Sequence, residues 1–330
     1  MIWLPELSDG TGAVLACAPA LALAADHWLG EPPVRWHPVV WMGRYLAWAG
    51  ARCAPCAGAP RVMSGRRIFW LAALYWCAAA AAIVAATWLV QAWVLAGPAW
   101  AAALVLGLLL KPLLAWAMLR DEVLGVEHAL GESLDAGRAR LARLVSRDVA
   151  TLSKHEVRES AIESLAENLN DSLVAPLLWF ALLGLPGAAL FRFANTADAM
   201  WGYRGARGGR DWRWAGQWAA RADDVLAWLP ARITAGLIAV LGAPFSKGWR
   251  TLGRLPLESA RTPSPNGGWP MAAMALALGV RLGKPGVYTL NAAGPGAEPA
   301  DTVRACAIGA RAALAATLLA CAALLCAVAV

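Results

Sequence analysis

The chain has 330 residues, of which 59% are hydrophobic and only 15% are charged. So apolar a composition excludes an intrinsically disordered chain, and it leaves too few polar residues to cover an ordinary soluble domain. The formal net charge of +7 suits an anionic lipid surface. Because the apolar content points the same way, membrane lipid is predicted as a partner and nucleic acid is not.

Four apolar segments approach the length of about 20 residues that a helix needs to cross a bilayer. They occupy residues 11–25, 68–90, 99–119 and 312–330. The pair Gly97-Pro98 is predicted to turn the chain between the second and third segments, which makes them a transmembrane hairpin. The pattern therefore predicts an all-α integral membrane protein with a single polytopic domain over residues 1–330.

Two further apolar segments, residues 172–191 and 225–243, are open to two interpretations. The first is interrupted by Gly184-Leu-Pro-Gly, and the second carries Pro230 and Arg232. Each of them either crosses the bilayer or runs as a broken helix beside a polar cavity. The predicted fold is a polytopic helical bundle with broken or re-entrant helices and a cytoplasm-facing polar cavity.

The distribution of arginine predicts the orientation of these segments. Residues 26–67 hold six arginines against two acidic residues, so this loop is expected in the cytoplasm. Residues 120–171 carry mixed charges with a helical pattern of apolar positions and are predicted to form a cytoplasmic helical segment. The expected location is the cell inner membrane, as a multi-pass protein whose active site faces the cytoplasm.

The first candidate site is a run of acidic residues that leads into an apolar segment. Glu163, Glu167 and Asp171 are spaced four apart, so on a continuous α-helix the three carboxylates share one face. They repel one another unless a cation is present, which suggests a Mg²⁺ site beside substrate phosphates. The alternative is a solvated acidic face paired with Lys154 and Arg158, and the spacing alone leaves both open.

Other polar clusters lie at the ends of apolar segments. They are Asn195 with Asp198 and Arg204; Arg221 with Asp223 and Asp224; the Pro- and Gly-rich loop 263–270 with Ser264 and Asn266; and the N-terminal run 26–44 with His37. Each taken singly is typical of a helix cap or a turn. Their repetition predicts that they converge on one cavity, where the backbone N–H groups of the loop 263–270 can cradle an anion.

Two familiar motifs are excluded. The run from Gly279 to Pro285 superficially resembles a phosphate-binding loop, but it is one residue short and has Pro285 where Ser or Thr must bind Mg²⁺. Cys53 and Cys56 form one CxxC without the second pair that a zinc site requires. Any nucleotide chemistry therefore uses an unusual site.

In this order the clusters resemble the CobD/CbiB family of cobalamin biosynthesis proteins, the adenosylcobinamide-phosphate synthases. The matching blocks are Leu29-Gly-Glu-Pro-Pro with His37-Pro-Val; Ser146-Arg-Asp; Glu163 to Asn168 with Asp171; Asn195-Thr-Ala-Asp198-Ala-Met-Trp-Gly-Tyr-Arg204; Arg221-Ala-Asp-Asp224 with Pro230-Ala-Arg232; and Ser264-Pro-Asn-Gly-Gly-Trp-Pro-Met271. Two departures stand out: Glu31 replaces the usual Asp, and Thr262 replaces the usual His.

The resemblance implies an ATP-dependent ligase that joins adenosylcobyric acid to (R)-1-amino-2-propanol O-2-phosphate, or to a close amino-alcohol phosphate. The implied product is adenosylcobinamide phosphate, with Mg²⁺ as cofactor, ATP as co-substrate and a corrinoid as substrate. Other late enzymes of the pathway, such as the membrane cobalamin-phosphate synthase, are implied partners. The alternatives are a non-catalytic membrane sensor or scaffold similar to AmpE-like proteins, and a small-anion transporter, whose paired halves the sequence does not show.

Under the ligase interpretation each polar residue is assigned a role. The predicted Mg²⁺ ligands are Glu163, Glu167, Asp171, Asp198 and Asp223. The predicted catalytic residues are Asp224, which accepts the proton of the amine, with Asp198 and Glu167. The predicted substrate- and phosphate-binding residues are His37, Asn168, Asn195, Arg204, Arg221, Arg232, Ser264 and Asn266.

Overall fold

The computed structural model describes residues 11–58, 63–242 and 245–328, and α-helix dominates all three ranges. Arg61, residue 243 and residues 329–330, which entered the predictions above, lie outside the described residues. The α-helices are α1 Thr11–Leu15, α2 Ala18–Leu29, α3 Pro38–Cys53, α4 Gly65–Leu95, α5 Ala99–Leu110, α6 Trp116–Glu132, α7 Leu134–Leu141, α8 Lys154–Leu169, α9 Ala175–Leu183, α10 Leu185–Trp201, α11 Gln217–Gly242, α12 Phe245–Ser259, α13 Gly268–Leu278 and α14 Pro299–Val328.

Shorter elements connect these helices. 3₁₀ turns cover Val34–Trp36 and Lys111–Leu113, and a π-helical turn covers Asn170–Val174. The strands β1 Ala206–Arg207 and β2 Arg210–Asp211 form one antiparallel hairpin, and β3 Leu282–Lys284 and β4 Tyr288–Leu290 form another.

Among the described residues, five helical segments are long and apolar enough to cross a membrane. They are Gly12–Leu29, Gly65–Leu95, Ala99–Glu132, Gln217–Gly242 and Pro299–Ala327. Each of the four predicted segments overlaps one of these spans, and residues 225–242 of the ambiguous segment belong to a helix of spanning length. The prediction of an all-α polytopic membrane fold is confirmed.

The ambiguous segment 172–191 is a broken helix. Helix α9 ends at Leu183 and α10 begins at Leu185. Gly184 between them has a φ of 71°, in the left-handed region that favours glycine. The side chain of Gln91 on α4 accepts a hydrogen bond from the Leu185 N–H at 2.7 Å. This bond satisfies one of the backbone donors that the new helix exposes at its first turn.

The chain folds into two compact units. The single polytopic domain over residues 1–330 stays a prediction. The first unit comprises Met1–Leu114, Ala175–Ala227 and Ala320–Val330, and the second comprises Ala115–Val174 and Trp228–Leu319. Each unit is assembled from segments far apart in sequence and has its own buried side chains. Hydropathy measures only whether a segment is apolar, so it does not show which apolar segments pack together.

The core of the first unit is built around Trp201 at the end of α10. Its indole Nε1 donates to the Leu46 carbonyl oxygen at 3.2 Å, and its ring stacks on Trp212 with centroids 6.0 Å apart. A Cβ at Gly50 on α3 would lie 2.7 Å from the Trp212 ring and 2.9 Å from the Trp201 Nε1. Only glycine therefore allows α3 to approach these two rings so closely.

The second unit contains α8, which is buried along most of its length. Its start is fixed by a capping box, in which the Ser153 hydroxyl accepts from the Glu156 N–H and the Glu156 carboxylate accepts from the Ser153 N–H. The buried residues of α8 include Glu159, Ser160 and Glu163, besides apolar ones. Burying so many polar groups costs stability unless they have partners, so the contacts of these side chains matter for the stability of the fold.

Candidate functional site

A polar cavity of about 190 Å³ lies along α8 in the second unit. Ser160, Glu163, Ser164 and Glu167 line it at helical positions i, i+3, i+4 and i+7, so they present one face. The facing wall is made by Ser146 and Arg147 from the preceding loop, Met271 of α13, Lys284 of β3 and Tyr288 of β4. We call this site, defined by these residues, the α8 cavity.

Arg147 supplies one positive charge to the α8 cavity. Its Nη2 lies 3.6 Å from Glu163 Oε2, and the same nitrogen donates a hydrogen bond to the Ser160 hydroxyl oxygen. The Ser160 hydroxyl in turn donates to the Glu156 carbonyl oxygen at 2.5 Å. Among the described residues the buried Nε of Arg147 has no hydrogen-bond partner, so the guanidinium retains a donor for a further group.

Glu163 is the most deeply buried acid of this cavity, with 4% of its surface exposed. Burial raises the pKa of its carboxyl to about 7, against the opposing effects of Arg147 and the Tyr288 hydroxyl, which favour the ionised form. Its Oε1 is buried and has no hydrogen-bond partner among the described residues. Such an oxygen in a polar cavity is suited to a cation or to a donor on a substrate.

The β3–β4 hairpin brings Lys284 and Tyr288 into the α8 cavity. These two residues lie directly opposite each other in the strand register, and Gly286, with a φ of 72°, makes the turn between them. Burial, together with the nearby charges of Glu163 and Glu167, raises the pKa of the Tyr288 hydroxyl. The run from Gly279 to Pro285 was excluded as a phosphate-binding loop, and it is indeed a strand and a turn, but sequence reasoning missed its lysine.

Two of the three predicted carboxylates, Glu163 and Glu167, line the α8 cavity. Glu163 and Glu167 share the cavity face as expected, but α8 ends at Leu169 and a π-helical turn follows, so Asp171 leaves the α-helical register. Asp171 instead accepts a hydrogen bond from Asn170 Nδ2 at 2.8 Å. Within residues 11–58, 63–242 and 245–328, no three His, Cys, Asp or Glu side chains are grouped as a metal site.

The predicted anion-binding loop uses its backbone donors internally. Ser264 Oγ accepts hydrogen bonds from the N–H groups of Asn266 at 3.3 Å and Gly267 at 3.0 Å. Two of the N–H groups that were expected to cradle an anion are therefore bonded within the loop, and anion binding by this loop stays a prediction. The Thr262 hydroxyl lies within hydrogen-bond distance of the Ser259 and Ser264 carbonyl oxygens, at 3.0 and 3.1 Å.

The loop instead supports Glu167 of the α8 cavity. Arg232 donates to Asn266 Oδ1 at 2.5 Å and to the Pro265 carbonyl oxygen at 3.1 Å, which fixes the loop on α11. A Cβ at Gly267 would lie 2.8 Å from Glu167 Oε1, so the loop backbone passes close to this carboxylate. Arg232 and Asn266 thus have a positioning role in the structure, and their contact with substrate stays a prediction.

Asn168 also lines the α8 cavity, as predicted for a substrate-binding residue. Its side-chain Nδ2 donates to the Ser164 carbonyl oxygen at 2.9 Å, one turn earlier on the same helix. The amide oxygen is the group that remains for a ligand's donor, and binding of substrate by Asn168 stays a prediction.

A second cavity, of about 450 Å³, lies in the first unit between the end of α10 and the start of α11. Its charged lining consists of Arg204, Arg213, Arg221 and Asp224, and Gln217 adds an amide. We call it the arginine cavity. Sequence reasoning found three of the four charged groups and missed Arg213, which stands in a Trp- and Arg-rich loop without periodicity.

Three further predicted residues of the first unit lie on α10 and α11, namely Asn195, Asp198 and Asp223. Asn195 Nδ2 donates to Asp223 Oδ1 at 3.5 Å, and Asn195 Oδ1 accepts from Arg192 at 3.4 Å. The carbonyl oxygen of Asp198 accepts from the Gly202 N–H at 2.7 Å. The predicted metal ligands are thus divided: Asp198 and Asp223 belong to the first unit, whereas the α8 carboxylates belong to the second.

His37 belongs to a cluster of ionisable groups in the first unit. Its Nε2 lies 3.1 Å from Glu31 Oε2, and its Nδ1 accepts a hydrogen bond from the Val39 N–H at the start of α3. Lys111 Nζ lies 3.0 Å from Glu31 and 3.5 Å from Asp26. Both ring nitrogens of His37 therefore have partners within the protein, and its binding of phosphate stays a prediction.

Replacing Lys111 with methionine is expected to destabilise the protein by about 3–5 kcal/mol, the cost of breaking a buried ion pair. Lys111 and Asp26 are 4% and 1% exposed, so removing the lysine leaves a buried carboxylate without its cation. The measurement is thermal unfolding in detergent. Lys154→Met, at an exposed position, is the matched control and should change stability little. Adding Asp26→Asn and Glu31→Gln to Lys111→Met should restore stability, and an unchanged midpoint in the single variant would contradict the prediction.

Comparison with known proteins decides the family. The family described as CobD/Cbib protein matches residues 19–319. The chain belongs to the CobD/CbiB family. One relative is the "Probable cobalamin biosynthesis protein CobD" of Methanothermobacter thermautotrophicus, 39% identical over 272 residues, which is 82% of this chain and 85% of the relative. Another is the "Cobalamin biosynthesis protein CobD" of Chromobacterium violaceum, 40% identical over 264 residues and 80% of both chains.

A third relative in the CobD/CbiB family matches over a longer part of the chain. The "Cobalamin biosynthesis protein CobD" of Rhodobacter capsulatus is 34% identical over 310 residues, covering 88% of this chain and 92% of the relative. No solved structure matches this chain. The α8 cavity and the arginine cavity both lie within the residues that the CobD/CbiB family covers.

Proposed function

We propose that this protein is an adenosylcobinamide-phosphate synthase, an ATP-dependent ligase of cobalamin biosynthesis. It joins adenosylcobyric acid to (R)-1-amino-2-propanol O-2-phosphate, or to a close amino-alcohol phosphate. Membership of the CobD/CbiB family and the names of the relatives support a role in cobalamin biosynthesis. The observation that carries the ligase chemistry is the α8 cavity, where two carboxylates of one helix face Arg147 and Lys284.

The donor set of this cavity fits a magnesium–nucleotide complex. Mg²⁺ is commonly bound by one or two carboxylates together with substrate phosphates and water. Glu163, with its unpartnered buried Oε1, and Glu167 would hold the ion. When bound, Mg²⁺ supplies neutralisation of the phosphate charge.

Two basic side chains of the α8 cavity are suited to bind the phosphates of ATP. Lys284 and Arg147 are the cations of the cavity, and they can place charge-assisted hydrogen bonds on phosphate oxygens. Arg147 retains an unused buried N–H for this purpose. The Tyr288 hydroxyl beside Glu163 keeps that carboxylate in place.

The reaction needs activation because a carboxylate and an ammonium do not condense to an amide at a useful rate. The simplest route is attack of the corrinoid carboxylate on the γ-phosphorus of ATP, which breaks the bond between the γ-phosphorus and the β–γ bridging oxygen, gives an acyl phosphate and releases ADP. The amine of the amino-alcohol phosphate, after losing its proton to a carboxylate such as Asp224, then attacks the acyl carbon and expels phosphate. Asn168 of the second unit is proposed to bind an amide group of the corrin ring, and Asn195 of the first unit is proposed to bind substrate.

The proposed location rests on the arginine-rich segment 26–67 and on the five described helices of spanning length. The protein is proposed to lie in the cell inner membrane with its active site facing the cytoplasm, where ATP is available. An association with other late cobalamin-biosynthesis enzymes, such as the membrane cobalamin-phosphate synthase, is proposed on the same ground.

The test uses the full chain purified in detergent with adenosylcobyric acid, the aminopropanol phosphate and Mg-ATP. Mass spectrometry should detect a corrinoid whose mass has increased by that of the amine minus water, only when ATP is present. Nucleotide analysis then distinguishes ADP from AMP as the second product. A folded sample that forms no adduct with any of several amino-alcohol phosphates would favour a non-catalytic sensor or scaffold.

A further inference from the structure

The two cavities differ in their charge. The α8 cavity has two carboxylates and two cations, whereas the arginine cavity has three guanidinium groups and a single carboxylate. A ligand that brings its own divalent cation suits the first composition, because the carboxylates complete the coordination of the ion. An anion without a metal suits the second, because guanidinium groups bind phosphate oxygens directly and in pairs.

The lining of the arginine cavity is arranged along one face of α11. Gln217, Arg221 and Asp224 stand at positions i, i+4 and i+7 and therefore lie on the same side of the helix. Arg204 follows the end of α10, and Arg213 precedes the start of α11. The start of a helix favours a negative charge, so the backbone adds to the attraction of the arginines.

The three guanidinium groups are available to a ligand. Arg204, Arg213 and Arg221 are all exposed on the lining of the cavity. Of the three, Arg204 also interacts electrostatically with Asp224. Arg221 packs on the Phe69 ring at 5.7 Å, which steadies its side chain without using its N–H donors.

The single carboxylate of the arginine cavity, Asp224, provides a site for a positively charged group. Asp224 is half-buried on α11, three residues beyond Arg221, and it interacts electrostatically with Arg204. A phosphate monoester carries close to two negative charges at neutral pH. A cavity with three positive charges and one negative charge therefore complements a small molecule that has a phosphate at one end and an ammonium at the other.

We propose that the arginine cavity is the binding site of the small phosphorylated amine, with Arg204, Arg213 and Arg221 on its phosphate and Asp224 on its ammonium. The α8 cavity is then left to the phosphates of the nucleotide. This assignment rests on the proposed ligase function and names the substrate class that the first unit binds. In this arrangement the Asp224 carboxylate favours a ligand that carries an ammonium group. The same carboxylate can accept the proton that the amine loses before it attacks the acyl carbon.

The test measures direct binding to the full chain in detergent by isothermal titration calorimetry, without nucleotide or corrinoid. The probes are 1-amino-2-propanol O-2-phosphate and isopropyl phosphate, the same phosphate ester without the amine. Arg213→Gln is expected to weaken binding of both probes at least about 10-fold, the loss of one charge-assisted hydrogen bond. Asp224→Asn is expected to weaken only the amine-bearing probe, and Lys284→Met in the α8 cavity should change neither.

Steady-state ligation gives the second arm of the test. Arg213→Gln should raise KM for the amino-alcohol phosphate and leave KM for ATP unchanged, and Arg213→Lys should recover part of the loss. If Arg213→Gln instead raised KM for ATP alone, the cavity would be a nucleotide site and the proposal would be overturned. An adventitious anion site would bind isopropyl phosphate and the amine-bearing probe equally in the wild type, which also overturns it.

The two proposals fail separately. If the wild type binds the phosphorylated amine with the expected dependence on Arg213 and Asp224 but forms no amide, the ligase function fails and the binding site stands. If amide forms while both arginine-cavity variants keep their wild-type KM for the amine, the ligase function stands and this assignment fails.

Discussion

Lys284→Met is expected to lower the rate of ATP-dependent ligation by about 10²–10³-fold, the usual cost of removing one group that stabilises charge in a transition state. Lys284 lines the α8 cavity together with Glu163 and Glu167, and it is partly buried on β3. The measurement is kcat and kcat/KM for ATP, with the corrinoid product followed by mass spectrometry.

Two variants make this result interpretable. Lys284→Arg keeps the positive charge and should retain a substantial part of the activity, whereas Lys154→Met removes a lysine from the exposed first residue of α8 and should leave the rate unchanged. Equal activity of Lys284→Met and Lys154→Met would remove Lys284 from the phosphate site.

Glu167→Gln is expected to lower kcat/KM for ATP by at least roughly 100-fold at limiting Mg²⁺, because loss of a mere supporting partner of a metal ligand already costs about 10–100-fold. The substitution removes the charge and keeps the shape, so the loop backbone at Gly267 can still pack against the side chain. Increasing the Mg²⁺ concentration should recover part of the activity.

A readout independent of turnover accompanies this variant. Electron paramagnetic resonance with Mn²⁺ and ATP should show weaker metal binding in Glu167→Gln than in the wild type. Glu132→Gln, whose side chain is 64% exposed, is the matched control and should bind Mn²⁺ like the wild type. Unchanged Mn²⁺ binding in Glu167→Gln would end the assignment of this carboxylate to the metal.

The polar face of α8 also bears on the alternative of a non-catalytic scaffold. Glu163 is almost fully buried and one of its oxygens has no partner among the described residues. Burying a carboxyl in this way costs stability, and a protein that needs only a rigid helical body gains nothing from it. Groups of this kind, with pKa values displaced by burial, cluster at functional sites, which is the physical reason for preferring an enzyme.

Several elements were predictable from the sequence because they depend on neighbouring residues only. The apolar runs predicted the helices of spanning length, and Gly97-Pro98 predicted the turn between α4 and α5. Gly184 predicted the break between α9 and α10, since a left-handed residue there is a local property of glycine. The placement of Glu163 and Glu167 on one face followed from helical spacing alone.

Other features were decided by packing between distant segments. Asp171 left the predicted face because the chain takes a π-helical turn after α8, and nothing in the local spacing indicated it. Lys284 and Tyr288 reach the α8 cavity only because the β3–β4 hairpin packs beside a helix more than 100 residues earlier.

The sequence by itself thus determined the membrane class, the positions of most helices and the identity of the acidic face, since hydropathy and helical periodicity are properties of contiguous residues. Three features follow from how distant segments pack: Lys111 neutralises Asp26 and Glu31, Arg232 holds the loop that passes close to Glu167, and the polar residues form two cavities in two units. The physical reason is that charge pairing acts over a few ångströms in space, and sequence spacing does not report distances between segments that meet only when the chain folds.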